Sequence, residues 1–236
     1  MNMKKLKDFF ADRQVSTILD TGTGTGDFIE VLQEVFPKAD ITGIDPNTES
    51  LYEAAKKYPD LLFAEMEAEN LNFDDNSFDL ASISMALHHL PDIQKALKEM
   101  QRVVKPGGWI IVNELFSDHL SPAEEVHKML HHFRSKIDRL IGISHNETFK
   151  KDEIREMTKA AGIEVLFDFE NPSEPISLAE SNELESRLEK MKLHLEKIKG
   201  RPEYEIFKPE IDEFSQAAFK HGFQSPTRIV LVGKPA

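Results

Sequence analysis

One stretch limits what this chain can fold into more than any other. From Val15 to Asp27 it reads Val-Ser-Thr-Ile-Leu-Asp-Thr-Gly-Thr-Gly-Thr-Gly-Asp. An apolar run (Val15, Ile18, Leu19) ends in an acidic residue, Asp20. Three glycines then alternate with threonines, and an amphipathic pattern begins at Phe28. That order predicts a buried strand, a tight turn and a helix start. Glycine accepts positive φ and has no Cβ, so another molecule can approach the backbone closely. A helix N-terminus adds unpaired N–H groups and the positive end of a dipole. The same turn also serves as an ordinary strand-to-helix connection, so the glycines alone do not decide between ligand and architecture.

Spacing narrows the choice. Gly22, Gly24 and Gly26 form G-x-G-x-G, not the G-x-G-x-x-G of the dinucleotide fingerprint, and no phosphate-gripping lysine follows as in a P-loop. A second apolar run, Ile41 to Ile44, ends in Asp45, at the distance where an acid meets ribose hydroxyls. With Asp20-Thr-Gly-Thr-Gly-Thr-Gly26 followed by Gly43-Ile-Asp45, the chain resembles the class I S-adenosylmethionine (SAM)-dependent methyltransferase family. The resemblance covers Val15 to Asn113 well, fits 151–161 and the last strand more loosely, and does not reach the two insertions described below.

The remaining elements follow from periodicity and punctuation. A helix over 27–36 stops at Pro37. After the strand at 41–44, Asn47 or Thr48 caps a helix ended by Pro59. Leu61–Phe63 and Phe78–Ser84 read as strands. Pro91–Val104 is helical and closes at Lys105-Pro-Gly-Gly108, before a strand at Trp109–Asn113. Asp118–Ile143 is helical and rich in histidine, Lys151–Ala161 is helical, and Ile163–Phe169 is a strand. About fifty residues follow before the last strand at Arg228–Val232, longer than an ordinary connection. Within them Ser177-Leu-Ala-Glu180 matches a capping box. Leu184, Leu188, Met191, Leu195 and Ile198 form a narrow apolar seam, suited either to a dimer contact or to an intrachain partner such as a helix at Pro209–Lys220. Met1–Phe10 reads as a short amphipathic helix covering one edge of the cofactor site.

Alternating strands and helices of these lengths predict an α/β fold with a doubly wound sheet. The resemblance implies the Rossmann-like methyltransferase version: seven mostly parallel strands, a single domain over 1–236, and helical insertions at about 118–148 and 171–222 forming a cap. In such sheets, ligands lie beyond the carboxyl ends of the strands, near the switch point. Gly22–Gly24, Asp45, Glu67 and Ser84 are all expected there.

Composition removes several function classes. The chain of 236 residues carries 42 acidic and 29 basic side chains, a net charge of −13. Without a long basic run this disfavours a nucleic-acid partner. There is no cysteine, hence no disulfide, thiolate metal site or cysteine nucleophile. No apolar run reaches membrane-spanning length, and the start lacks the apolar core of a secretory signal. The expectation is a cytoplasmic protein with no membrane partner.

By resemblance, Asp20, Thr21, Gly22, Thr23 and Gly24 face the methionine part of SAM, with Asp20 reached by its ammonium group. Asp45 accepts from the ribose hydroxyls, and Pro46 and Asn47 flank the adenine. Glu67 and Ala68 meet the adenine edge, although the family usually has Asp where this chain has Glu67. Ser84 and Met85 lie beside the methionyl group. S-adenosylhomocysteine is the implied product.

Catalysis asks little of the protein, because the sulfonium is already activated and alignment with exclusion of water suffices. His88 and His89, after the fourth strand, read either as a capping stretch or as a base for the acceptor, since histidine titrates near neutrality. Glu114 could hold an acceptor or be a strand-end acid. His89 and Glu114 are the candidate catalytic pair. His127 and His131, four apart on one helix face, could join His132, His145 or Glu124 at a zinc or iron. They lack an H-E-x-x-H pattern, and no metal site is assigned. The expected function is methyl transfer from SAM to a small-molecule acceptor at O, N, C or S. The alternatives are a protein methyltransferase, a non-catalytic SAM-binding scaffold dimerising through the 184–198 seam, and a nucleotide-cofactor oxidoreductase, which the glycine spacing disfavours.

Overall fold

The structure is a computed structural model describing residues 3–173 and 181–236. The Ser177–Glu180 capping box lies outside them. The chain divides into two compact units. One comprises the residues up to Glu114 with Asp152–Asn171 and Ile229–Ala236; the other comprises Leu115–Lys151 and Pro172–Arg228.

The first unit holds a seven-stranded sheet. Its strands are β1 (Thr17–Thr21), β2 (Asp40–Asp45), β3 (Leu62–Glu65), β4 (Phe78–Ser84), β5 (Val104–Leu115), β6 (Ile163–Asn171) and β7 (Arg228–Pro235), ordered β3-β2-β1-β4-β5-β7-β6. The β1–β2, β2–β3, β1–β4 and β4–β5 pairs are parallel. The chain winds outward from β1 to β3, then returns to start again at β4, so the switch point lies between β1 and β4. Both are buried along nearly their whole length because helices cover each face. The sheet is α/β and mostly parallel, as the sequence pattern indicates.

Helices α1 (Met3–Phe10), α2 (Asp27–Val35), α3 (Thr48–Lys57), α4 (Ile93–Val103) and α6 (Lys151–Ala160) belong to this unit. Leu6 and Phe10 of α1 join Ile29, Phe36, Leu80, Trp109 and Val230 in one buried cluster. Phe10 packs edge-on to Phe36, 4.8 Å between centroids, and Phe9 stacks on Phe167 at 4.9 Å. Phe36 follows the C-terminus of α2, the end away from the glycine turn. The expectation that this first helix covers the cofactor site is therefore corrected: its apolar face is spent on the core at the opposite end of the sheet.

The Lys105-Pro-Gly-Gly108 turn lies inside the span of β5. Phe78 pairs with Val104 but Leu80 pairs with Trp109, so the intervening residues bulge out of register. A Cβ on Gly108 would come within 2.7 Å of the Asp79 carbonyl, which is why glycine ends the bulge. Asp79 also accepts from the Ser16 and Thr17 N–H groups and from Lys105 Nζ. That one carboxylate ties together the starts of three strands.

In the second unit, α5 (Pro122–Leu140), α7 (Ser181–Glu196) and α8 (Pro202–His221) enclose a separate core of Phe133, Ile137, Met191, Leu195, Ile198, Phe214 and Phe223. Helix α5 starts at a capping box, Ser121 with Glu124, three residues later than its periodicity suggests; the Ser-Pro-Ala-Glu signature was present in the sequence. Pro209 lies within α8 and does not begin it. The preceding turns are anchored by Tyr204, whose hydroxyl donates to Glu196 at 2.6 Å, and by Phe207 against the core. The seam of Leu184, Leu188, Met191, Leu195 and Ile198 packs into this core. Those apolar side chains pack within the chain's own core, the intrachain arrangement that the periodicity also allowed.

Candidate active site

The registers bring the expected residues to one edge of the sheet. Thr21 is level with Ile44 and Ile83, Asp45 with Glu65, and Ser84 with Asn113. After Thr21 the glycine turn takes φ of +66° at Gly22, +51° at Gly24 and +84° at Gly26. Gly22 and Gly26 are constrained by their neighbours: a Cβ would come within 2.7 Å of Ala86 and of Tyr58, respectively. A Cβ on Gly24 would meet no protein atom within 4 Å. Among the described residues, only its positive φ requires Gly24 to lack a side chain, and they leave open space over that backbone.

Asp20 sits beneath the turn, 1% exposed. One carboxylate oxygen accepts from Thr23 Oγ1 and the other from Ser82 Oγ, each at 2.7 Å. Burial pushes its carboxyl up to about 6, the two hydroxyls pull the other way, and nearby Asp45 adds a smaller upward push. Its visible work is to fasten the turn to β4. Thr21 is fully buried, and its Oγ1 has no hydrogen-bond partner among the described residues.

Asp45, at the end of β2, accepts from the Gly24 N–H at 2.9 Å and the Asn47 N–H at 2.8 Å. The Thr23 N–H donates to the Ile44 carbonyl at 2.8 Å. Turn and second strand are thus one hydrogen-bonded piece, with the acid held against the open glycine. Asn47 caps α3 by accepting from the Ser50 N–H at 2.9 Å. Next to it, Pro46, Met66, Glu67 and Leu71 line a cavity of about 690 Å³. Glu67 is exposed there and Ala68 is buried behind it.

At the end of β4, Met85 takes φ +56°, a region that costs a non-glycine residue about 1–2 kcal/mol. Its N–H donates to the Asn113 carbonyl at 2.8 Å, and Asn113 Nδ2 donates to Ser84 Oγ at 2.8 Å. Strain of this kind clusters at functional sites. The chain then makes a short 3₁₀ turn, Leu87–His89. Glu114, fully buried, accepts from the Leu87 N–H at 2.9 Å and lies 2.9 Å from His88 Nδ1. His88 is buried, whereas His89 is exposed, with its ring 4.3 Å from that of His88. The Glu114 contact holds the His88 imidazole in one orientation at the end of β4. A carboxylate therefore orients His88. Its sequence signal was weak, because its partner is 26 residues away.

The second unit's histidines do separate work. His145 Nδ1 and His194 Nε2 lie 2.7 and 2.8 Å from the two oxygens of Asp138. His132 Nε2 is 2.8 Å from Thr148 Oγ1, and the His127 ring lies 5.2 Å from that of Phe223. Glu124 is occupied by the Ser121 and Thr227 N–H groups. Among the described residues, none of His127, His131, His132 and Glu124 joins a group of three whose ligand atoms lie within 4.8 Å of one another.

Residues 19–112 match the family model described as a methyltransferase domain. The chain is 34% identical over 151 residues to a demethylmenaquinone methyltransferase of Chlorobaculum tepidum, covering 63% of this chain and 60% of the relative. It is 40% identical over 102 residues to a ubiquinone/menaquinone biosynthesis C-methyltransferase of Campylobacter jejuni, covering 41% and 43%. The chain thus aligns with at most about three fifths of the length of these relatives. The Bacillus halodurans protein BH2331 shares the fold, with TM-score 0.66 and 18% identity over 100% of this chain and 99% of that one. An open glycine turn, an acid pinned beside it and an adjoining cavity fit an adenosyl cofactor with no phosphates. Residues 19–112 of this chain thus match a methyltransferase domain, and the sheet that carries them has the fold of the class I SAM-dependent methyltransferases.

Proposed function

We propose that this chain transfers a methyl group from SAM to a ring carbon of a small, hydroxylated aromatic acceptor of the quinol type. The observation that carries the reading is the Gly24–Asp45 arrangement, an unobstructed backbone with an acid fastened to it. The acceptor class rests on the curated relatives, whose names specify quinone substrates and carbon methylation.

SAM supplies a methyl already activated by its sulfonium. The protein's own residues bind, orient and move a proton. Asp45 has its carboxylate held in place by the Gly24 and Asn47 N–H groups and offers its remaining lone pairs to a diol. Pro46 and Glu67 border the cavity for a flat base. Asp20 holds the turn in shape from below through Thr23 and Ser82. Net carbon methylation replaces a ring hydrogen with a methyl and releases one proton. His88 Nε2 takes the proton of the acceptor hydroxyl, whose oxygen pushes electron density onto the attacking carbon; once the carbon–methyl bond has formed, the ring hydrogen leaves as a proton and the oxygen regains one, so that one proton is released overall. Glu114 acts through His88, as a positioning residue that fixes the tautomer and steadies the imidazolium. His89 borders the same turn and contributes shape.

The test measures methyl transfer from labelled SAM to a panel of demethylated quinols. Wild type should turn over a quinol, and His88→Gln should lower kcat by about 10²–10⁴-fold, the range of general acid–base catalysis, with S-adenosylhomocysteine binding kept. Glu114→Gln should lower kcat and shift its pH profile. Full activity in His88→Gln would remove the base. Cofactor binding without turnover of any acceptor would point to a non-catalytic SAM-binding protein.

A further inference from the structure

The second unit contains a cavity of about 510 Å³ between α5 and α7, within the 300–1,000 Å³ of ordinary small-molecule sites. Arg134 on α5 and Arg187, Lys190 and His194 on α7 line it, over an apolar floor that includes Leu130 and Met191. The charge is notable in a chain whose acids outnumber its bases by 42 to 29. Lys136 and Arg139 of α5 pair with Glu210 and Glu147, whereas Arg134 and Lys190 have no ion-pair partner among the described residues. Arg187 is fixed in place, its Nη2 donating to Glu183 at 2.6 Å and its guanidinium stacked 3.9 Å over the Phe223 ring.

Three cationic side chains line the cavity with one carboxylate, Glu183, which leaves the lining with an excess of two positive charges. The surroundings bear this out. Desolvation holds the His194 imidazole below its ordinary range; Asp138 pulls it up, and Lys197 and Arg134 push it further down. His194 therefore stays neutral near pH 7, a polar wall beside the cations.

We infer that this cavity is a binding site for an amphiphilic oxyanion, a phosphomonoester carried on a short aliphatic stem. Two net charges match a dianionic phosphate, and guanidinium groups suit its geometry. The Leu130 and Met191 side chains give the stem an apolar surface. The inference is independent of the methyl-transfer reading, since none of these residues belongs to the cofactor unit.

The experiment is calorimetric titration of the full chain, at low salt, with hexyl phosphate, inorganic phosphate and 1-hexanol. Hexyl phosphate should bind saturably, at least tenfold tighter than inorganic phosphate, and hexanol should not saturate. The double variant Arg134→Gln/Lys190→Gln should weaken hexyl phosphate at least tenfold. Both side chains are exposed, so the variant should keep its circular dichroism and its affinity for S-adenosylhomocysteine. No saturation by hexyl phosphate, or the same affinity in wild type and variant, would overturn the site. Equal affinity for inorganic phosphate would overturn its amphiphilic character.

Discussion

Asp20 illustrates how a residue that reads as a ligand can serve as structure. In the folded protein its carboxyl holds a proton up to about pH 6, against an ordinary 3.8, because burial disfavours the charge more than Thr23 and Ser82 stabilise it. Between those two values the folded state binds more protons than the unfolded one, so stability falls as pH rises through that window and stays lower above it. The cost above pH 6 is on the order of 3 kcal/mol. Asp20→Asn keeps an acceptor for one hydroxyl and removes the charge. Relative to wild type, it is expected to gain stability as pH rises from 4 to 7, with little difference below 4, as measured by chemical denaturation at each pH. A difference that does not change with pH would show that the burial cost is not expressed. Sequence could not have revealed this role. Ser82 lies 62 residues from Asp20, and only the pairing of β1 with β4 brings its hydroxyl within reach.

At the scale of elements, the 184–198 seam makes the same point about periodicity. The repeat identified the helix and its apolar face; it did not say what covers that face. Met191, Leu195 and Ile198 are buried against Phe133, Ile137 and Phe214 of the same chain. Leu195→Ala is therefore expected to cost about 2–5 kcal/mol, as a core truncation does, and light scattering at micromolar concentration should give the monomer mass. A dimer mass that Leu195→Ala abolishes would restore the intermolecular reading. Most strands and helices were legible because their apolar periods are long and their ends carry Pro, Gly or a capping residue. Phe78–Ser84 was read to the residue. Boundaries failed where local signals conflict with tertiary contacts. The glycines of Lys105–Gly108 read as the end of a connection, yet Gly108 is held against the Asp79 carbonyl within the strand. Pro209 reads as a helix start, but the packed turns before it extend α8 back to Pro202.

For the molecule as a whole, the glycine turn and Asp45 were legible in the sequence, whereas the pairing of His88 with Glu114 was not. The glycine turn and Asp45 lie in one short βα unit whose chemistry fixes its spacing, and the structure joins them directly through the Gly24 N–H. His88 and Glu114 come from separate strands' ends, so only the fold pairs them. The second unit's helices were read from their apolar periods and caps, which say nothing of what its cavity holds. The net charge of −13 suits a cationic cofactor and argues against a polyanion as substrate.

The most direct test is calorimetric titration of S-adenosylhomocysteine into wild type and Gly24→Ala. A methyl at Gly24 strikes no protein atom, so the variant should fold with only the cost of positive φ, about 1–2 kcal/mol. Micromolar binding to wild type, weakened at least tenfold in the variant (about 1.4 kcal/mol), is expected if the cofactor lies on that backbone. No binding to wild type, or equal binding to both, would contradict the account and return the glycine turn to architecture.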